Sequence, residues 1–277
     1  MRKVIFLYWY TLKRRDQKDN YGDLLSKYLV KKISRGFIFK VGYPSSRVYN
    51  LFKNYLAIGS IITAAGKNSI VWGSGIIKRN ERIREATFLA VRGPLTRKRI
   101  LELGYKCPEI YGDPAILLPY FFKQKVKKRY EIGVIPHYVD YQEVSNRFKN
   151  ESGIKVINLI TDNIESTTKE ILECERIISS SLHGVIVSHT YKIPCLWVKF
   201  SEKLSGDDVK FHDYLSSMNI FYKNIHVLNI SVLTKKDIVT VLNSNESLLL
   251  PEEFILEQRQ RELLSVCPFN RKRFLRK

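Results

Sequence analysis

Cysteine is scarce and scattered. Cys107, Cys174, Cys195 and Cys267 stand far apart with no CxxC pair, which excludes a zinc ribbon or a disulfide framework and fits a reducing, cytoplasmic setting. Long apolar runs are missing too. None approaches the roughly 20 residues that cross a bilayer, so no transmembrane helix is expected. Met1-Arg2-Lys3 and the apolar stretch 4–10 have the outline of a signal peptide, but the stretch is short, aromatic-rich and lacks a small-residue cleavage site. It reads as a first buried strand.

Acidic residues are also in short supply. Against 47 Lys plus Arg the 277-residue chain sets only 27 Asp plus Glu, a net charge of +20. Such a field draws anions, whether nucleic acid, anionic lipid headgroups or small phosphorylated substrates. The basic residues are spread along the chain, with denser knots at 123–129 and 271–277. Neither knot is interleaved with stacking aromatics, so a solvated basic surface accounts for them and no nucleic-acid partner is expected. No internal repeat, low-complexity segment or cluster of metal-ligand spacing occurs.

What is present is a rhythm. Short apolar runs alternate with amphipathic stretches, the pattern of parallel sheets covered by helices. Strands are expected at 4–10, 56–60, 70–75 and 87–91, with a helix at 24–33 and another after Arg92-Gly93-Pro94 that Gly104 ends. The alternation restarts beyond the basic stretch 123–129, with strands at 132–135, 154–159, 176–180 and 193–198 and helices near 166–174 and 211–217. An amphipathic segment 252–266, with Phe254, Ile255, Leu263 and Leu264 as its apolar residues, reads as a docking terminal helix. The expected fold class is α/β, with two Rossmann-like domains facing a cleft, residues 1–125 and 126–245, followed by a terminal helix and basic tail at 246–277.

Within that frame the turn Ser179-Ser180-Ser181-Leu182-His183-Gly184 is the richest in chemistry. A strand opening into a helix aims free backbone N–H groups and a helix dipole at whatever lies beyond, which suits phosphate or carboxylate. The serines add donors, although serine at a helix start is also ordinary capping. An imidazole adds a group that exchanges protons near neutrality. Other strand ends carry Gly59-Ser60, Gly73-Ser74 and Arg92, and ligands in open α/β sheets sit at such carboxyl ends.

The ordered set Asn20-Tyr21-Gly22-Asp23, Gly59-Ser60, Trp72-Gly73-Ser74-Gly75, Val91-Arg92-Gly93-Pro94, Tyr111-Gly112-Asp113-Pro114 and Ser179-Ser180-Ser181-Leu182-His183-Gly184 resembles the polysaccharide pyruvyl transferase family over nearly the whole chain. The resemblance implies a fold like the two-domain GT-B glycosyltransferases. It further implies transfer of pyruvate from phosphoenolpyruvate onto a sugar of a surface polysaccharide or its lipid-linked precursor, giving a cyclic ketal. No cofactor is implied beyond that donor, and no metal. One departure is visible: the family commonly carries Arg two residues before the His of the last motif, where this chain has Ser181.

Phosphoenolpyruvate carries a phosphate and a carboxylate, so its site wants cations or oriented N–H groups. His183 is the expected general acid or base. On the donor side stand Arg92, Ser179, Ser180, Ser181, Gly184, His137 and Lys210, with Lys199, Lys203 and Lys210 as candidate replacements for the missing Arg. The acceptor-side candidates are Asn20, Gly22, Asp23, Gly59, Ser60, Gly73, Ser74 and Asp113. Plain alternatives stand beside several: a salt bridge for Arg92, a turn for Asn20 and Asp23, an N-cap for Asp113, a structural place for His137. The +20 charge and the tail 271–277 suit peripheral contact with an anionic membrane face from the cytoplasmic side. A nucleotide-sugar glycosyltransferase on the same fold, a relative without activity and a charge-driven nucleic-acid binder are the competing readings.

Overall fold

The structure, a computed structural model, describes residues 3–12 and 15–269. In chain order its first half contains β1 (Val4–Tyr8), β2 (Asp19–Asn20), α1 (Tyr21–Ser34), β3 (Phe37–Lys40), β4 (Asn54–Leu56), β5 (Ser69–Trp72), β6 (Thr87–Ala90) and α2 (Pro94–Glu102). The second half contains β7 (Tyr130–Ile135), α3 (Tyr141–Phe148), β8 (Ile154–Val156), β9 (Ile160–Thr161), α4 (Ile164–Leu172), β10 (Cys174–Ser179), α5 (Leu182–Thr190), β11 (Cys195–Lys199), α6 (Val209–Ser217), β12 (His226–Val227), α7 (Lys235–Asn243) and α8 (Glu253–Ser265).

These strands form two five-stranded sheets, ordered β3-β1-β4-β5-β6 and β12-β11-β10-β7-β8. Every pairing inside both sheets is parallel, as the alternation of apolar and amphipathic segments requires. The strands are shorter than the apolar runs: β4 stops at Leu56 and β5 at Trp72, because Gly59 and Gly73, at φ 104° and 95°, turn the chain out of the sheet. Helix α1 starts at Tyr21, where the Asn20 side chain accepts a hydrogen bond from the Gly22 N–H at 2.9 Å. The segments β3, α3, β12 and α7 had no counterpart in the expected pattern. The tail 271–277 lies outside the described residues.

The halves are tied together at several points. Strands β2 and β9 pair antiparallel across them, and the Tyr21 hydroxyl meets Thr168 Oγ1 at 2.7 Å. One hydrophobic cluster runs from Ile5 and Leu25 through Ile116 and Leu182 to Trp197 and Tyr214. Helix α8 returns to the first half, where the Trp72 indole donates to the Leu263 carbonyl at 3.0 Å and the Gln260 amide to that of Ile116 at 2.7 Å. Its buried residues are Leu256, Gln260 and Leu263. Of the apolar residues read from the sequence, Leu263 is buried and Ile255 and Leu264 pack on the core, while Phe254 is exposed and Leu256 takes its place.

The most constrained link is ionic. Arg92, after β6, and Asp213, on α6, are both fully buried and paired at 3.0 Å through Nε and Oδ2. The remaining guanidinium nitrogens donate to Ser60 Oγ at 2.8 Å and the Ile76 carbonyl at 2.6 Å. Asp213 also accepts from the Thr96 amide at 2.9 Å and hydroxyl at 2.6 Å. Helix α2 has Gly93 at its N-cap and no side-chain cap of its own, so a carboxylate from the other half fills that role and meets the positive end of the helix. Removing one partner of a buried pair leaves an uncompensated charge. Asp213→Ala should therefore lower stability by about 3–5 kcal/mol, read as a shifted urea midpoint.

Candidate functional site

Turns that follow strands of both sheets line one cleft of about 310 Å³. After β1 come Tyr10 and Leu12; after β4, Gly59, Ser60 and Ile61; after β7, His137 and Tyr138. Ser181, Leu182 and His183 follow β10, Lys210 opens α6, and Asn20 and Asp23 reach in from the start of α1. The carboxyl-end rule for open α/β sheets thus locates the cavity.

His183 sits in the first turn of α5, with a side chain only 12% exposed. Its Nε2 lies 3.6 Å from Oδ2 of Asp113, a fully buried carboxylate. Neither atom has a hydrogen-bond partner, so the two stand just outside bonding range. The other oxygen of Asp113 accepts from the Ala115 amide at 2.9 Å and caps the turn that follows. On its opposite edge the imidazole lies against Gly22, where an added Cβ would fall 2.0 Å from Nδ1. Gly22 is thus a seat for the ring. Both readings of Asp113 hold in one residue, since it caps with one oxygen and faces the imidazole with the other.

The cleft is electrostatically unusual. Burial raises the Asp23 carboxyl to about 7, with Asp19 adding to the rise and His183, Lys210 and Lys40 opposing it. Burial, helped by the Arg92 charge, lowers Lys210 to about 8, against the pull of Asp208 and Asp23. Burial and Lys210 together lower His137 to about 4, so this imidazole is neutral near pH 7. Its amide donates to Ser180 Oγ at 2.8 Å. Ser181 is the N-cap of α5 but makes no side-chain capping bond.

Several expected site residues stand off the cleft. Arg92 is a correction: it is buried and committed to Asp213, Ser60 and Ile76, and it approaches the cavity only through Ser60. Ser179 is buried and holds the turn, donating to the carbonyls of Ile135 and Ser181 and accepting from the Ser181 amide. Gly184 packs on Ser179, and Gly73 lies under Pro114. Ser74 is buried and joins two strand-end turns through the Gly59 carbonyl at 2.8 Å. Of the three lysines, Lys199 is paired with Asp208 at 2.7 Å and Lys203 with Glu143 at 3.6 Å. Lys210 alone of these faces the cavity. Among the described residues no group of three His, Cys, Asp or Glu is placed to hold a metal ion, and the four cysteines are buried and form no disulfide.

Comparison with known proteins places the chain among transferases. It belongs to the polysaccharide pyruvyl transferase family, whose sequence profile matches residues 4–201. An uncharacterized protein of Acanthamoeba polyphaga mimivirus is 33% identical over 227 residues, which cover 79% of this chain and 76% of that protein. The succinoglycan biosynthesis protein ExoV of Rhizobium meliloti (strain 1021) is 24% identical over 232 residues, 78% of this chain and 65% of ExoV. Among the described residues no helix is long and apolar enough to cross a membrane.

The Gly22 contact gives a direct check on the seating of the imidazole. Gly22→Ala should displace His183 and reduce group transfer roughly 10²-fold, the usual effect of an ångström-scale misplacement. The displacement is read as a change in the His183 ring resonances, with circular dichroism unchanged.

Proposed function

We propose that the protein transfers pyruvate from phosphoenolpyruvate to two hydroxyls of a sugar in a surface polysaccharide or its lipid-linked precursor, forming a cyclic ketal. Family membership supports the reaction class. The observation that carries the reading is the cleft-lining His183 with the buried Asp113 behind it and Lys210 lining the same cavity. We also read the two sheets as the facing halves of a GT-B-like fold divided near residue 125, acceptor side first and donor side second, with the segment from 246 onward docking back.

One acceptor hydroxyl adds to C2 of phosphoenolpyruvate while C3 gains a proton and becomes the methyl group. The second hydroxyl then displaces phosphate at C2 and its proton leaves with the phosphate, so one diol and one donor yield one ketal and one phosphate. Asp113 beside Nε2 orients the His183 ring, which serves as general acid or base to hydroxyl and donor. Lys210 and the uncapped amides at the start of α5 hold the anionic donor. Asn20, Asp23 and Ser60, from the first half, meet the acceptor.

Calorimetric titration with phosphoenolpyruvate, run beside UDP and CMP sugars, tests the donor. Saturable binding of phosphoenolpyruvate is expected, and preference for a nucleotide sugar would overturn the reading. His183→Ala should reduce turnover about 10² to 10⁴-fold while changing donor affinity less than about threefold. Lys210→Gln should weaken donor binding itself.

The pH dependence has a defined sign. Lys210, lowered to about 8, loses its charge above that pH. Asp23, raised to about 7, gains a negative charge above its own. Both changes disfavour an anionic ligand, so donor affinity should fall as pH rises from 6 to 9. Lys210→Arg should remove the upper part of that fall, because guanidinium stays charged throughout.

A further inference from the structure

Between Asp23 and Glu81 the chain holds ten Lys and Arg and no acidic residue. Seven of the ten lie in α1 and its C-cap, the edge strand β3 and the loop that leads to β4. Strands β1 and β3 pair in the register Val4↔Phe37 and Phe6↔Phe39, so these four side chains share one face while Ile5 and Leu7 turn to the core on the other. Phe6 is roofed by the rings of Phe39 at 5.5 Å and Phe52 at 5.0 Å. The rest is open to solvent: Phe39 is 55% exposed, Val48 62% and Leu51 77%, and Val4 and Phe37 are more than half exposed. Arg47 and Lys53 stand in the same loop and are exposed. Around the edge lies a groove of about 930 Å³ whose wall includes Lys27, Lys31, Lys32 and Arg35. Its single lining carboxylate, Glu165, is held by Tyr28 and Lys32.

We propose that this edge of the first sheet docks on an anionic lipid bilayer, with Phe39, Val48 and Leu51 entering the headgroup boundary and the surrounding Lys and Arg meeting the lipid charges. Exposed aliphatic and aromatic tips beside a cation-rich surface whose groove holds one, already paired, carboxylate are the complement of such an interface. A second copy of the chain is a poor occupant, since a two-fold contact would set these cations against one another. Val48 and Leu51 neither stack on bases nor donate hydrogen bonds, which disfavours nucleic acid. The inference is independent of the donor and of the chemistry in the cleft, and it adds a folded contact to the one expected of the tail.

Sedimentation of the full chain with vesicles of phosphatidylcholine alone or mixed with phosphatidylglycerol tests it. The chain should partition onto the mixed vesicles only, and a form lacking residues 270–277 should still do so. Val48→Ser with Leu51→Ser, and separately Arg47→Gln with Lys53→Gln, should each lower the partition coefficient about fivefold or more. Melting temperature and phosphoenolpyruvate binding should be unchanged, so failure of the docking and failure of the proposed chemistry are read separately. Wild-type partition by both double variants overturns the proposal, as does loss of all binding on removing the tail alone. Displacement of the protein from vesicles by an equal phosphate concentration of RNA duplex also overturns it.

Discussion

A carboxylate borrowed from the second half of the chain caps a helix in the first, and much of the cleft depends on that loan. Asp213 meets the N-terminus of α2 and the guanidinium of Arg92, and Arg92 in turn fixes Ser60 and the Ile76 carbonyl. The geometry admits little substitution, because a Cβ on Gly93 would fall 1.8 Å from the Asp213 carbonyl oxygen. Lys210 stands one helical turn before Asp213 on α6, so the anchor that buries the aspartate also aims the lysine at the cleft. A buried ion pair contributes little net stability against apolar residues of like volume. Its effect here is positional: it can be satisfied in one arrangement of the two halves, and that arrangement creates the cavity.

The same pair acts on the site through its field. Arg92 is out of reach of a ligand, yet its charge contributes to lowering Lys210, and Lys210 in turn helps keep His137 neutral. Asp23, held near 7 by burial, carries only part of a charge at neutrality. Near neutrality the cleft therefore balances a mostly protonated ammonium against a half-ionised carboxylate. A bound anion would shift that balance, since it favours protonated Lys210 and protonated Asp23 together. Binding of an anion there would then be coupled to proton uptake by Lys210 and Asp23.

Much of this was legible in the sequence because it is local. Alternating apolar runs give parallel strands, Asn20 and Asp113 cap as their types dictate, and the turn after β10 delivers His183 to the cleft. What was not legible depends on contacts distant in sequence. The partner of Arg92 lies 121 residues away in a helix whose sequence shows nothing unusual. The two-residue strands β2 and β9 are too short for periodicity to register. Ser179 and Gly184 were found as parts of a motif, but a motif does not separate residues that touch a ligand from residues that shape the turn, and these two do the latter. Gly22 shows the reverse case: its value lies in the side chain it lacks, which only the position of His183 reveals.

Ser181 follows from the same geometry. It opens α5 without capping it, so the first amides of the helix stay available to an anion, as they would not beneath a capping side chain. An arginine there would bring a permanent charge from the second sheet. This chain presents a lysine from α6 to the cleft, lowered to about 8 by its burial and, after that, by the Arg92 charge. Exchanging a fixed guanidinium for an adjustable ammonium reduces bidentate hold on phosphate or carboxylate, and it ties that hold to the Arg92–Asp213 clasp. In this chain the cation proposed to face the donor therefore shares a helix with one partner of the ion pair that joins the halves and feels the charge of the other.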